Sequence, residues 1–109
     1  MNDEVDLAVD APALLLDEPT THLDPPHQIA LVMLLRRQAA VGVAVVSVLH
    51  DLALALLADR VVVLEGGRLR ASGRSDDPTL HEVLTAVFGG AIRIERIGER
   101  WVPLANLAR

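Results

Sequence analysis

The stretch Ala13-Leu14-Leu15-Leu16-Asp17-Glu18-Pro19-Thr20-Thr21-His22-Leu23-Asp24 decides how this sequence is read. An apolar run leads directly into two adjacent carboxylates, Asp17 and Glu18, and Pro19 ends it before a short polar loop. A bounded apolar run of this length fits a strand buried on both faces. A buried strand that ends in acids delivers charge to the edge where a parallel sheet opens to solvent, and open α/β sheets place their ligands at that edge. Side chains alternate along a strand, so Asp17 and Glu18 project differently and can do different work.

Reading outward, Asp24 precedes Pro25-Pro26, an N-cap with proline in the first helical turn. The apolar residues Ile29, Leu31, Val32, Leu34 and Leu35 mark a helix over His27 to Ala40, with Arg36 and Arg37 near its C-terminal end and Gly42 as its stop. Arg36 and Arg37 read as a solvated helix end. Val43 to Leu49 is apolar and largely β-branched, a second buried strand that ends at His50. A strand, a helix and a strand joined in this way form a right-handed βαβ unit with parallel strands. That geometry brings Asp17, Glu18 and His50 to the same edge of the sheet.

Asp51 can cap a short helix over Leu52 to Leu57, and Arg60 to Glu65 reads as a third strand. Gly66-Gly67 signals a hairpin turn, with Arg68 to Ser72 as the returning strand. Asp76-Asp77-Pro78 opens a further helix through Val87, which Gly89-Gly90 ends. The alternating tail from Ala91 to Leu104 suggests a terminal hairpin around Gly98, with Trp101 as a packing residue. Met1 to Pro12 forms an acidic lead-in. No repeat, low-complexity tract or flexible linker interrupts residues 1–109, which read as one unit.

Composition narrows the functions open to the chain. Its 109 residues suit one small domain with a modest core, and 51% hydrophobic against 23% charged residues argues for a folded protein. One Phe, one Trp and no Tyr leave no aromatic platform for stacking bases. With a net charge of −5 and no basic run, direct binding of nucleic acid is disfavoured. The lack of cysteine excludes disulfides and thiolate metal sites and agrees with a reducing compartment. The acidic N-terminus lacks the pattern of a signal peptide. No apolar run reaches the roughly 18 residues of a membrane span, so any link to a membrane is expected to pass through a partner.

Two strings carry a family resemblance. Leu14-Leu15-Leu16-Asp17-Glu18-Pro19-Thr20-Thr21-His22-Leu23-Asp24 resembles the Walker B motif and D-loop of an ATP-binding-cassette (ABC) ATPase. Val45-Val46-Ser47-Val48-Leu49-His50-Asp51-Leu52, followed by Ala58-Asp59-Arg60-Val61, resembles that family's switch-histidine strand. Together the strings cover most of the chain from Ala8 to Gly73. The resemblance implies an α/β fold, a partial P-loop NTPase domain with a parallel βαβ core, a C-terminal β-hairpin and a helix.

The same resemblance implies ATP and Mg²⁺ as ligands. It makes Asp17 the residue that helps hold the metal, through water, and Glu18 the residue that polarises the attacking water. A hard dication on phosphates takes carboxylate ligands, and hydrolysis needs an acceptor in line with the γ-phosphate. His50 matches the switch histidine that contacts the γ-phosphate. Thr21-His22-Leu23-Asp24 matches the D-loop, which makes Asp24 a residue of the nucleotide site facing a partner subunit; its N-cap role is compatible with this. A separate metal site at His22, Asp24 and His27 is disfavoured by their irregular spacing.

The hairpin from Val61 to Leu69 and the phrase Leu49-His50-Asp51-Leu52 resemble import-type transporter ATPases. Thr20 to Asp24 with His27-Gln28 resembles the iron-siderophore, haem and cobalamin uptake group. The implied setting is the cytoplasmic side of a cell membrane, peripheral to a permease and paired with a second ATPase subunit.

The glycine-rich phosphate-gripping loop with its lysine does not occur, and the chain has no lysine. The family's Q-loop and serine-glycine-glycine signature are also absent, so the resemblance is to the C-terminal portion of the ATPase domain. The chain alone is expected to be inactive, as a truncated product, half of a split ATPase or a partner-binding module. In that family the P-loop strand lies between the switch-histidine strand and the next one. Val43–Leu49 and Arg60–Val63 are therefore expected to flank a gap, and open apolar edges invite partners.

Overall fold

A computed structural model describes residues 12–107. The chain divides into two compact units at His50/Asp51. Apart from Pro12, the acidic lead-in lies outside the described residues.

In the first unit, β1 (Ala13–Asp17) and β2 (Ala44–Val48) pair in parallel, from Ala13 opposite Ala44 to Asp17 opposite Val48. Between them runs helix α1 (Pro25–Ala40). Asp24 caps it from an extended backbone, accepting the His27 backbone N–H at 3.1 Å, and Pro25 and Pro26 fill the first turn as the sequence implies. The helix ends at Val41, and Gly42 follows with φ 100°, a conformation that favours glycine after a helix.

The expectation that both strands are buried on both faces is corrected here. Leu15 is 79% exposed and Val46 59%. Helix α1 packs against β2, and the residues on one sheet face, Leu16, Val45 and Ser47, are only half-buried. The ladder has two strands, so nothing within it covers the other face. Val32 is the one buried apolar side chain described in α1.

The second unit has a denser core. A short helix, α2 (Leu52–Ala55), is capped by Asp51, whose carboxylate accepts the Ala53 N–H at 2.9 Å. Strands β3 (Arg60–Glu65) and β4 (Arg68–Arg74) form an antiparallel hairpin. Gly66 and Gly67 turn it with φ 59° and 76°, the paired positive values a tight two-residue hairpin turn requires. Helix α3 (Pro78–Val87) starts at an Asp77 cap, and β5 (Ile92–Ile97) pairs with β6 (Arg100–Ala105) around Gly98. Leu56, Val61, Val63, Leu80 and Leu84 form the core, with Ile94 and Trp101 packed against it. Trp101 is thus a packing residue, its ring centroid 4.7 Å from that of His81.

The ladders among the described residues are β1–β2, β3–β4 and β5–β6. No described helix is long and apolar enough to cross a membrane.

The two kinds of leucine differ in what they hold. Leu80, 2% exposed at the centre of the second unit, should cost about 2–5 kcal/mol when changed to Ala. Leu15→Ala, at an exposed strand position, should stay within about 0.5 kcal/mol. Urea unfolding followed by fluorescence of Trp101, the sole tryptophan, measures the first; comparable losses for both would contradict this account of the core.

Candidate functional site

The site is built at the C-terminal end of the β1–β2 ladder. Asp17 is the last residue of β1 and stands opposite Val48. The ladder continues one step further, since the Glu18 backbone N–H donates to the Val48 carbonyl at 2.8 Å. Glu18 has φ 52°, the left-handed region, so the strand stops there and its side chain leaves the strand alternation. His50 lies two residues beyond Val48, and its Nε2 forms an ion-pair contact with the Glu18 carboxylate. The parallel register thus brings Glu18 and His50 together at one edge, with Asp17 beside them in the chain.

The pair is open to a ligand. The His50 side chain is 83% exposed and that of Glu18 34%, and Asp17 is exposed as well. The contact is therefore solvated, and it orients the carboxylate more than it stabilises the fold.

The loop after Glu18 is held by its own backbone. Thr21 N–H donates to the Glu18 carbonyl at 3.2 Å and Leu23 N–H to the Thr20 carbonyl at 3.1 Å. Thr20 is buried, 6% exposed, and its carbonyl also accepts from the Gln28 side chain at 3.4 Å. His22, with φ 74°, makes a second left-handed turn. Asp24 closes the loop as the α1 cap and also pairs with the His27 ring. Its carboxylate is thus engaged within its own chain, at a place that remains exposed.

Three features escaped sequence reading. Nothing in Thr20-Thr21 marks the first threonine as the buried anchor. The left-handed backbone at Glu18 carries no glycine or asparagine signal. Ser47 Oγ is buried without a hydrogen-bond partner, on the sheet face toward which α1 packs.

Among the described residues no three His, Asp or Glu side chains converge on a metal position. Asp17 is an exposed carboxylate at a strand end, a donor set suited to a cation whose other ligands are phosphate oxygens and water.

No family model matches the chain. It is 49% identical over 89 residues to the hemin import ATP-binding protein HmuV of Rhodococcus jostii (strain RHA1), a match that covers 81% of this chain and 30% of that protein. It is 43% identical over 91 residues to the protein of the same name in Rhizobium johnstonii, covering 83% of this chain and 34% of that protein. Against the Bradyrhizobium diazoefficiens counterpart it is 51% identical over 76 residues, 69% of this chain and 28% of that protein. The chain spans about a third of the length of the curated relatives it matches.

Because Glu18 sits at positive φ, glycine should suit its backbone better than alanine. Both substitutions remove the carboxylate, so their difference isolates the backbone. Glu18→Gly should leave the first unit about 1 kcal/mol more stable than Glu18→Ala. Hydrogen exchange of the Ala44–Val48 amides reads this; an alanine variant as protected as the glycine one would contradict the left-handed geometry.

Proposed function

We propose, for a chain that belongs to the ATP-binding subunits of ABC transporters, that it supplies the Walker B and switch-histidine wall of an ATP site. In this reading the chain is a single partial ABC ATPase domain, and the subunit it serves couples ATP binding and hydrolysis to import. The observation that carries the reading is the Glu18–His50 contact at the end of a parallel ladder whose first strand ends in Asp17. The relatives' names favour haem as the cargo over an iron-siderophore or cobalamin.

Bound Mg-ATP would supply the phosphoryl group and the cation that neutralises its charge. Asp17 would hold that cation, at least partly through water. Glu18 would accept a hydrogen bond from the attacking water and orient it. His50 has two tasks: its ring restrains the Glu18 carboxylate and, being largely exposed, can turn to donate to a phosphate oxygen. Asp24 fixes the exit of the loop between β1 and α1, and with it the surface offered to a second ATPase subunit. The setting proposed is the cytoplasmic face of a membrane, against a permease and without nucleic acid.

These 109 residues contain no phosphate-gripping loop, so in this reading they supply one wall of the site and not the other. The purified chain should show no ATP turnover. Combined with the portion of the Rhodococcus jostii relative outside its aligned 89 residues, it should hydrolyse Mg-ATP. Glu18→Gln should then lower that rate by about 10²–10⁴-fold, as loss of a positioned base does, while nucleotide binding persists. Hydrolysis by the isolated chain, or an undiminished Glu18→Gln rate in the mixture, would contradict the proposal.

A further inference from the structure

Helix α1 turns a polar group inward at the end nearest the site. Gln28, Leu31, Val32, Leu35 and Gln38 recur at helical spacing and are its half-buried or buried positions, on a helix that packs against β2. On either side of Gln28 the chain is exposed, from Thr21 to His27 and again at Ile29 and Ala30. Ile29 is 42% exposed and Met33 47%, so apolar side chains of similar size stand outside while an amide stands within. Packing alone would favour the reverse, since the inward stripe of a helix is ordinarily apolar. An amide placed there has to find a hydrogen-bond partner.

The partner is the loop that follows Glu18. Gln28 Nε2 donates to the Thr20 carbonyl at 3.4 Å, across eight residues of chain. Thr20 is the buried point of that loop, and the same carbonyl accepts the Leu23 N–H at 3.1 Å. The Glu18 carbonyl accepts the Thr21 N–H at 3.2 Å. Those two backbone bonds join loop residues to one another and travel with the loop, whereas the Gln28 bond joins the middle of the loop to the helix. Upstream, the Glu18 N–H is fixed on the Val48 carbonyl. Glu18 is thus held between ladder and loop at φ 52°, a conformation that persists where the surrounding structure over-determines it.

We infer that Gln28 is a positioning residue of the candidate site: through the Thr20 carbonyl, its amide fixes the loop that keeps the Glu18 carboxylate against His50. The inference rests on the reading of Glu18 as the residue that orients the attacking water. It goes further by naming what holds that carboxylate in line from outside the strand. Gln28 touches neither nucleotide nor water in this account and acts through Thr20 and Glu18 alone. Its loss therefore slows turnover and leaves nucleotide affinity in place.

The test replaces the donor and keeps the bulk. Gln28→Met preserves an unbranched side chain of good helix preference and removes the N–H. Gln38→Met makes the same exchange at the other end of the same stripe, away from the loop, and serves as the control. In the full chain alone, Glu18→Gln should move the ring-proton NMR signals of His50, the residue it contacts. In a Gln28→Met background that response should shrink by about threefold or more, and in a Gln38→Met background it should persist. Amide exchange along Ala44–Val48 should stay within about threefold of the parent in both, which separates a displaced carboxylate from a loosened fold. In the mixture with the portion of the Rhodococcus jostii relative outside the aligned 89 residues, Gln28→Met should lower kcat by about tenfold and change KM by less than about twofold.

A His50 response undiminished in Gln28→Met, or equally diminished in Gln38→Met, would overturn the inference. So would faster exchange along Ala44–Val48 in Gln28→Met, which would reduce Gln28 to a packing residue. Turnover separates the two levels. A mixture without turnover, beside a His50 response that depends on Gln28, sinks the ATP-site reading and leaves the positioning role standing. Turnover that needs Glu18 and ignores Gln28 does the reverse.

Discussion

The parallel pairing of β1 with β2, carried one step beyond Asp17 by the Glu18 N–H donating to the Val48 carbonyl, is the constraint on which the site depends. Parallel strands end on the same side, so whatever follows each apolar run is delivered to one edge. Here that is Asp17-Glu18 from one strand and His50 from the other. A slip of one residue would turn every side chain to the opposite face and part Glu18 from His50. The left-handed backbone at Glu18 then turns its carboxylate out of the strand's alternation. Non-glycine residues hold that conformation at a cost of about 1–3 kcal/mol, a strain associated with functional sites.

The two units differ in how far they satisfy themselves. The second closes a core in which Leu80 and Leu84 of α3 meet Val61 and Val63 of β3. Among its described residues, the first leaves Leu15, Val46 and Val48 exposed and buries little beyond Val32 and Thr20. The difference follows from cover. A hairpin with one helix over it can bury one face and expose the other, whereas a parallel pair needs both faces covered. The chemistry-bearing residues lie in the unit that is less complete by itself.

Much of this was legible from residue pattern because the governing interactions are local. Asp24-Pro25-Pro26 announces a capped helix, Gly66-Gly67 a tight hairpin turn and Asp77-Pro78 another capped helix, and each stands where the pattern puts it. The joining of Glu18 to His50 followed from topology, since a βαβ connection leaves no other edge. Burial was the failure. Leu14-Leu15-Leu16 and Val45-Val46 look like core in any reading of hydrophobicity, yet Leu15 and Val46 are exposed, because a two-stranded ladder with one helix packed on it has one face covered. Nor could sequence mark the left-handed turn at Glu18, which tertiary pairing imposes on a residue with no preference for it. The buried Thr20 is of the same kind: its neighbour Thr21 is chemically identical and exposed.

The central claim is that Glu18 and His50 act as one unit on the water and phosphate side of an ATP site. A double-mutant cycle on ATP turnover, with this chain combined with the portion of the Rhodococcus jostii relative outside the aligned 89 residues, tests it most directly. If the pair works together, Glu18→Gln with His50→Ala should lose no more rate than the worse single variant, as residues acting as a unit do. Losses that multiply in full would mean that the two residues act independently, and would contradict the account.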